Sequence, residues 1–133
     1  MNMAREPGGS RRVFKTAWFS KTALKAHISD LELCQAIWQV MLGQADDLGG
    51  GVYKKRLGKN LYRSIIVARG GRYWVYAFLF AKQDRANIGE DELVEFRALA
   101  ALYGGESDAG IARELQLGKL MEICYGDQTE IQE

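Results

Sequence analysis

Apolar positions along the chain change period several times, and each change marks an element. "VFKTAWF" (13–19) alternates as a short strand does. Ser20 then suits a helix cap before "KTALKAHI", where Ala23, Leu24, Ala26 and Ile28 recur at helical spacing. Asp30 opens "LELCQAIWQVML", whose Leu33, Ile37, Val40 and Met41 repeat the same way until Gly43 stops them. The pattern therefore predicts a helical hairpin over about 20–43. After the loop "QADDLGGG", three runs turn β-rich: "VYKKRL" (52–57), "LYRSIIVA" (61–68) and "RYWVYAFLF" (72–80). The links "GKN" and "RGG" are too short for anything but antiparallel neighbours, so a meander is expected. The third run is apolar on both faces, as in a central strand with helices packed on one side.

"NIGEDELVEFRALAALYGG" (87–105) returns to helical spacing, with Leu93, Phe96, Leu99, Ala100 and Tyr103 on one stripe. Glu90, Asp91 and Glu92 in its first turn suit the positive end of the helix dipole. "SDAGIARELQLGKLMEIC" (107–124) reads as a short helix broken at Gly118, then a brief apolar stretch and a polar tail. The expected fold is α+β: a small antiparallel sheet of three or four strands against an N-terminal helical hairpin and a C-terminal helix. Residues 1–12, with the single proline Pro7 beside Gly8 and Gly9, read as a flexible leader in which Met3 is a candidate start. Residues 13–105 then form the main domain, and 106–133 an acidic helical extension.

Composition narrows the class. With 133 residues, 47% of them hydrophobic, the chain can bury one core unaided. It has no apolar run of membrane-spanning length and no signal-like N-terminus, so a cytoplasmic protein with no membrane contact is expected. Cys34 and Cys124 stand alone, which predicts two reduced thiols and no metal site. The net charge of +1 hides an asymmetry. Residues 11–85 carry 14 Lys+Arg against 5 Asp+Glu, and residues 86–133 carry 3 against 11. The basic part suits a polyanion, and the acidic part suits a cover that neutralises it.

Within the first hairpin, the period of two places Val52, Lys54 and Arg56 on one face and Tyr53, Lys55 and Leu57 on the other. Tyr53 and Leu57 belong to the core face, Lys55 to an edge, and Lys59 to the turn. Lys54 and Arg56 point outward together, with Arg63 in cross-strand reach. Lys82 and Arg85 follow the third strand. Such a cationic face suits phosphate. His27 is expected to be a surface or packing residue, Asp46 and Asp47 read as solvated loop residues, and "GGG" (49–51) lacks the features of a nucleotide-binding loop. Chemistry here would be phosphoryl transfer carried by cations, for which attack by an RNA 2′-hydroxyl needs no metal or other cofactor.

The hairpin "YKKRL-GKNLYR", with "LGGGVYKKRL" before it and "FLFAKQDRANI" after, resembles the RelE/HigB-like toxins of bacterial toxin–antitoxin modules. The resemblance covers about residues 13–104 and implies a small ribonuclease that cuts messenger RNA in the ribosomal A site. The family's strand motif falls on Tyr53, Lys54, Lys55, Arg56 and Leu57, so its two catalytic basic residues fall on Lys54 and Arg56. Its next-strand arginine falls on Arg63. Gln83 follows Lys82 where RelE has an arginine, and the family's later tyrosine has no counterpart in Ala86, Asn87, Ile88 and Gly89. Lys82 or Arg85 would then replace the arginine, and Tyr62 and Tyr73 become candidates for the general acid. Lys55, Lys59, Tyr62 and Arg72 are expected RNA contacts, while Trp74 and Tyr76 are divided between base stacking and core packing.

The resemblance also implies an antitoxin, expected to be a helix-turn-helix protein, with messenger RNA on the ribosome as substrate; a homodimer stays open. The acidic tail suggests a cover leaning over the basic face. Two rival readings share the fold: a degenerate toxin kept for binding its antitoxin or for autoregulation, and a ParE-type gyrase poison. The second would not require Lys54, Arg56 and Arg63.

Overall fold

The computed structural model describes residues 11–125, so most of the expected leader and the end of the polar tail lie outside the described residues. Strand β1 (Arg12–Thr16) leads into helices α1 (Ala17–Lys25) and α2 (Asp30–Met41). Strands β2 (Asp46–Gly49), β3 (Val52–Leu57), β4 (Tyr62–Val67) and β5 (Tyr73–Ala81) follow. Helices α3 (Glu90–Gly104) and α4 (Asp108–Gln116) and strand β6 (Leu120–Ile123) complete the order. The described sheet has six strands in the order β2-β3-β4-β5-β1-β6, not three or four, and only the β1–β5 pair is parallel.

Two strands escaped the pattern for physical reasons. β2 is the polar edge segment "DDLG", with a register shift between Asp47 and Gly49 and no buried residue. β6 is only four residues long, yet Leu120 and Ile123 are buried where it pairs with β1. The 106–133 segment is therefore not helical throughout; part of it is sheet. At the other end of the chain, helix begins earlier than expected. The Thr16 side chain accepts from the Phe19 amide (3.0 Å), so "AWF" is helix rather than strand. Ser29, not Asp30, caps α2.

Helices cover both sheet faces, which corrects the expectation of one. The α1/α2 hairpin packs Phe19, Leu33, Ile37 and Val40 against Leu57, Ile66, Trp74 and Tyr76. On the other face, Ala100 and Phe96 of α3 and Ile111 of α4 meet Phe14, Val52, Ile65, Val67 and Val75. A strand between two apolar layers must be apolar on both sides, which accounts for the composition of β5. Trp74 and Tyr76 lie in this core, the Tyr76 hydroxyl donating to the Leu33 carbonyl (2.7 Å), so base stacking by either is ruled out.

Cys34 on α2 and Cys124 after β6 form a disulfide, with Cα atoms 5.3 Å apart across 90 residues of sequence. This overturns the expectation of two reduced thiols. The pairing follows from β6, which returns beside β1 and delivers Cys124 to α2. The acidic segment does not cover the basic hairpin either, among the described residues. Asp108 pairs with Arg72 (2.8 Å) and Arg12 (3.6 Å), and Glu122 pairs with Arg12 (2.9 Å).

Candidate functional site

The sheet places the basic hairpin by register. Lys54 stands opposite Ile65, and Arg56 opposite Arg63, on the face that carries Val52 and Val67 into the α3/α4 core. Along this face of β3 and β4 the apolar Val52, Val67 and Ile65 give way to the three cations. Two like charges directly opposite each other weaken a strand pair. The chain accepts that cost at the Arg56–Arg63 position.

Tight turns on both sides hold the strand. Gly49, Gly50 and Gly51 all have positive φ (87°, 67° and 86°), which explains the "GGG" that joins β2 to β3. Arg97 of α3 clamps this turn by donating to the Leu48 and Gly49 carbonyls. The β3–β4 turn also passes through left-handed backbone at Gly58, Lys59 and Asn60. Arg63 reaches back to it, its Nη1 donating to the Asn60 carbonyl (3.2 Å) and side-chain oxygen (3.1 Å) and to the Tyr62 carbonyl (3.1 Å).

Lys54 is held from two directions. Its Nζ donates to Asn87 Oδ1 (3.3 Å) and lies 3.8 Å from Asp46 Oδ2, and only 16% of its side chain is exposed. Asp46 arrives on β2, the edge neighbour of β3, and Asn87 belongs to the chain between β5 and α3. A half-open cleft of about 210 Å³ is lined by Gln44, Ala45, Asp46, Lys54, Lys55, Arg56 and Arg63. Four cations against one carboxylate make its potential positive.

The remaining expected site residues divide. Lys82 follows β5 at the same end of the sheet, exposed, its amide donating to the Leu61 carbonyl (3.0 Å) beside the hairpin turn. Arg85 is near but engaged: its guanidinium lies 5.5 Å over the Phe80 ring and makes a two-pronged pair with Glu92. The hydrogen bond from Arg85, with another from the Gly89 amide, pulls the Glu92 carboxyl below its usual range, and Glu92 in turn raises Arg85. Lys55 points to the opposite face, where Nζ donates to the Gln44 carbonyl (2.9 Å). Partial burial, and then Arg56 nearby, lower its pKa. Lys59 is exposed in the turn. Tyr62 also faces away, packed against the α1/α2 core, so it stands off the Arg56–Arg63 face.

Arg72 and Tyr73 stand at the other end of β5, about 25 Å along the strand from the Arg63–Phe80 pair. Arg72 pairs with Asp108, and the buried Tyr73 hydroxyl donates to the same carboxylate. Burial and that hydrogen bond raise the Tyr73 pKa. Neither belongs to the cleft, so Arg72 is not an RNA contact there and Tyr73 is no general acid for it. Three residues escaped the sequence reading. Gln44 and Asp46 precede and open the unrecognised β2, and Asn87 sits in a polar loop that only the third dimension brings to Lys54.

No helix among the described residues is long and apolar enough to cross a membrane, and no group of three His, Cys, Asp or Glu side chains among them could hold a metal ion. Residues 11–123 match the family model described as RelE toxin of the RelE/RelB toxin-antitoxin system. No curated protein matches the chain.

Proposed function

This chain belongs to the RelE toxin family and is the toxin of a toxin–antitoxin module, and from that premise we propose that it is a metal-independent endoribonuclease that cuts messenger RNA on the ribosome in the cytoplasm. The observation that carries the reading is the Arg56–Arg63 pair with Lys54 one step along the same face, around a cleft holding a single carboxylate. No acid faces the Arg56–Arg63 pair across the ladder, and a phosphate in the cleft would offset their repulsion. Lys54, Arg56 and Arg63 hold the scissile phosphate and stabilise the added charge of its five-coordinate state. Lys82 and Lys59, at the same end of the sheet, draw in the flanking backbone. Arg85 serves as a further phosphate contact once it exchanges Glu92 for RNA.

An antitoxin partner follows from the family; that it is a helix-turn-helix protein is part of the proposal. A second reading, a non-catalytic toxin kept for antitoxin binding, draws on the engagement of Arg85 by Glu92 and the lack of a tyrosine near Asn87. Inducing the protein alone and mapping messenger RNA 5′-ends separates the two. Translation-dependent cleavage supports the ribonuclease; intact transcripts with normal growth support the binding module. A gyrase poison of the ParE type would leave transcripts intact, damage DNA, and tolerate loss of the three cations.

A further inference from the structure

Cations can hold and stabilise a phosphate, but at neutral pH protonated Lys and Arg side chains cannot take the proton that a 2′-hydroxyl must lose before it attacks. His27 is exposed at the end of α1, and Tyr62 and Tyr73 stand off the cleft. Among the described residues, one carboxylate lines the cleft. It belongs to Asp46, whose exposed side chain has Oδ2 3.8 Å from the Lys54 ammonium, the β2–β3 register setting the Asp46 backbone opposite that of Lys54. Its backbone is fixed by the glycine turn and by Arg97, which grips the Leu48 and Gly49 carbonyls.

We propose that Asp46 is a catalytic residue, the general base that removes the 2′-hydroxyl proton, and that Lys54 is the acid paired with it. The assignment rests on the ribonuclease reading above. The Asp46 carboxylate accepts the proton as the 2′-oxygen forms its bond to phosphorus. The bond from phosphorus to the 5′-oxygen breaks, and the leaving oxygen takes a proton from the Lys54 ammonium. The products are a 2′,3′-cyclic phosphate and a 5′-hydroxyl. The carboxylic acid of Asp46 then returns its proton to the neutral Lys54 amine, restoring the ion pair with no external reactant.

The two groups must separate to flank a phosphate, and the site provides for that. Asn87 Oδ1 lies 3.3 Å from Lys54 Nζ, so Nζ has a second partner to lean on as RNA enters. Other charged groups surround Asp46. Lys54, Lys55, Arg56 and Arg63 line the same cleft, Arg97 reaches β2 from α3, and Asp47 is the adjacent acid, turned to the Gly49 amide (2.9 Å).

The test is single-turnover cleavage of ribosome-bound messenger RNA by the full chain, comparing wild type, Asp46→Asn, Lys54→Ala and the control Asp47→Asn. Asp46→Asn is expected to lose about 100-fold or more in rate, with unchanged melting temperature and unchanged affinity for a 2′-deoxy substrate that cannot be cut. Its pH–rate profile should lose the limb on which activity climbs as a base deprotonates. A substrate with sulfur in place of the 5′-oxygen needs no acid, so it should restore only the acid's share of the Lys54→Ala loss, leaving the share due to phosphate binding, and leave Asp46→Asn slow. Wild-type rate or profile in Asp46→Asn, or rescue of that variant by the sulfur substrate, overturns the assignment alone. A wild-type protein that cuts nothing overturns the ribonuclease reading, and this assignment with it.

Discussion

Arg56 and Arg63 face each other directly across the β3–β4 ladder, on the sheet face where the apolar residues end. Their opposition is a local instability, worth a few tenths of a kcal/mol against the fold. Replacing Arg56 with alanine should therefore leave stability equal or slightly higher while lowering cleavage about 100-fold or more, whereas Arg63→Ala also removes the hydrogen bonds to the Asn60 turn. Thermal melts and single-turnover rates on the same samples check both halves. A variant that loses stability and keeps its rate would make the pair structural.

The Lys54–Asn87 hydrogen bond gives a milder expectation. Asn87→Ala removes an acceptor that positions Lys54 without removing the ammonium. The rate should fall by roughly tenfold, as the loss of one modest hydrogen bond allows, with little change in RNA affinity. Asn87→Asp, which keeps an acceptor, should recover part of it.

Binding should depend on salt through the same cations. Each phosphate contact to single-stranded RNA adds about 0.7 to the slope of log affinity against log salt. Alanine at Lys54, Arg56 and Arg63 together should lower that slope by about 2, whereas Arg72→Ala, remote and paired with Asp108, should leave it unchanged. Filter binding of a 2′-deoxy oligonucleotide at four salt concentrations measures it.

How much of this was legible in the chain depended on whether the signal was local. Alternation in "VYKKRL" and "YRSIIV" placed Lys54, Arg56 and Arg63 on one face with no help from the fold, and β3 and β4 keep that arrangement. β2 was not legible, because an exposed edge strand of two aspartates, a leucine and a glycine has no apolar period to detect. Missing β2 also meant missing Asp46 as a neighbour of Lys54. The Cys34–Cys124 bond and the Lys54–Asn87 contact join residues 90 and 33 positions apart, and spacing carries no trace of either. Arg72 belonged by charge to the basic half, yet strand length carries it to the far end of β5.

The disulfide should contribute measurably to stability. Closing a loop of this length restricts the unfolded chain by about 4–5 kcal/mol in the chain-entropy account. Reduction, or Cys34→Ala, should lower the melting temperature by roughly 10 °C or more. Equal melting temperatures with and without reductant would show that β6 needs no tether.

Acid should loosen the far end of the sheet. The hydrogen bond from Tyr73, and then the charges of Arg72 and Arg12, hold the Asp108 carboxyl below its ordinary value. A carboxyl lowered in the folded state stabilises the protein above its unfolded pKa, and that contribution fades as pH falls below about 4. Asp108→Asn should flatten this part of the stability profile, measured by denaturant melts between pH 3 and 7. An unchanged profile would place the acid sensitivity elsewhere.

The proposed ribonuclease activity rests on the cation trio gathered on one sheet face. Its most direct test places purified protein on ribosomes programmed with a defined message, wild type beside the Lys54/Arg56/Arg63 triple alanine variant, and reads the cut ends. Cleavage is expected from wild type alone, leaving a 2′,3′-cyclic phosphate and a 5′-hydroxyl, none in the folded triple variant, and none where a 2′-deoxynucleotide replaces the attacking one. Cleavage by the triple variant, or an intact message with the wild type, would contradict it.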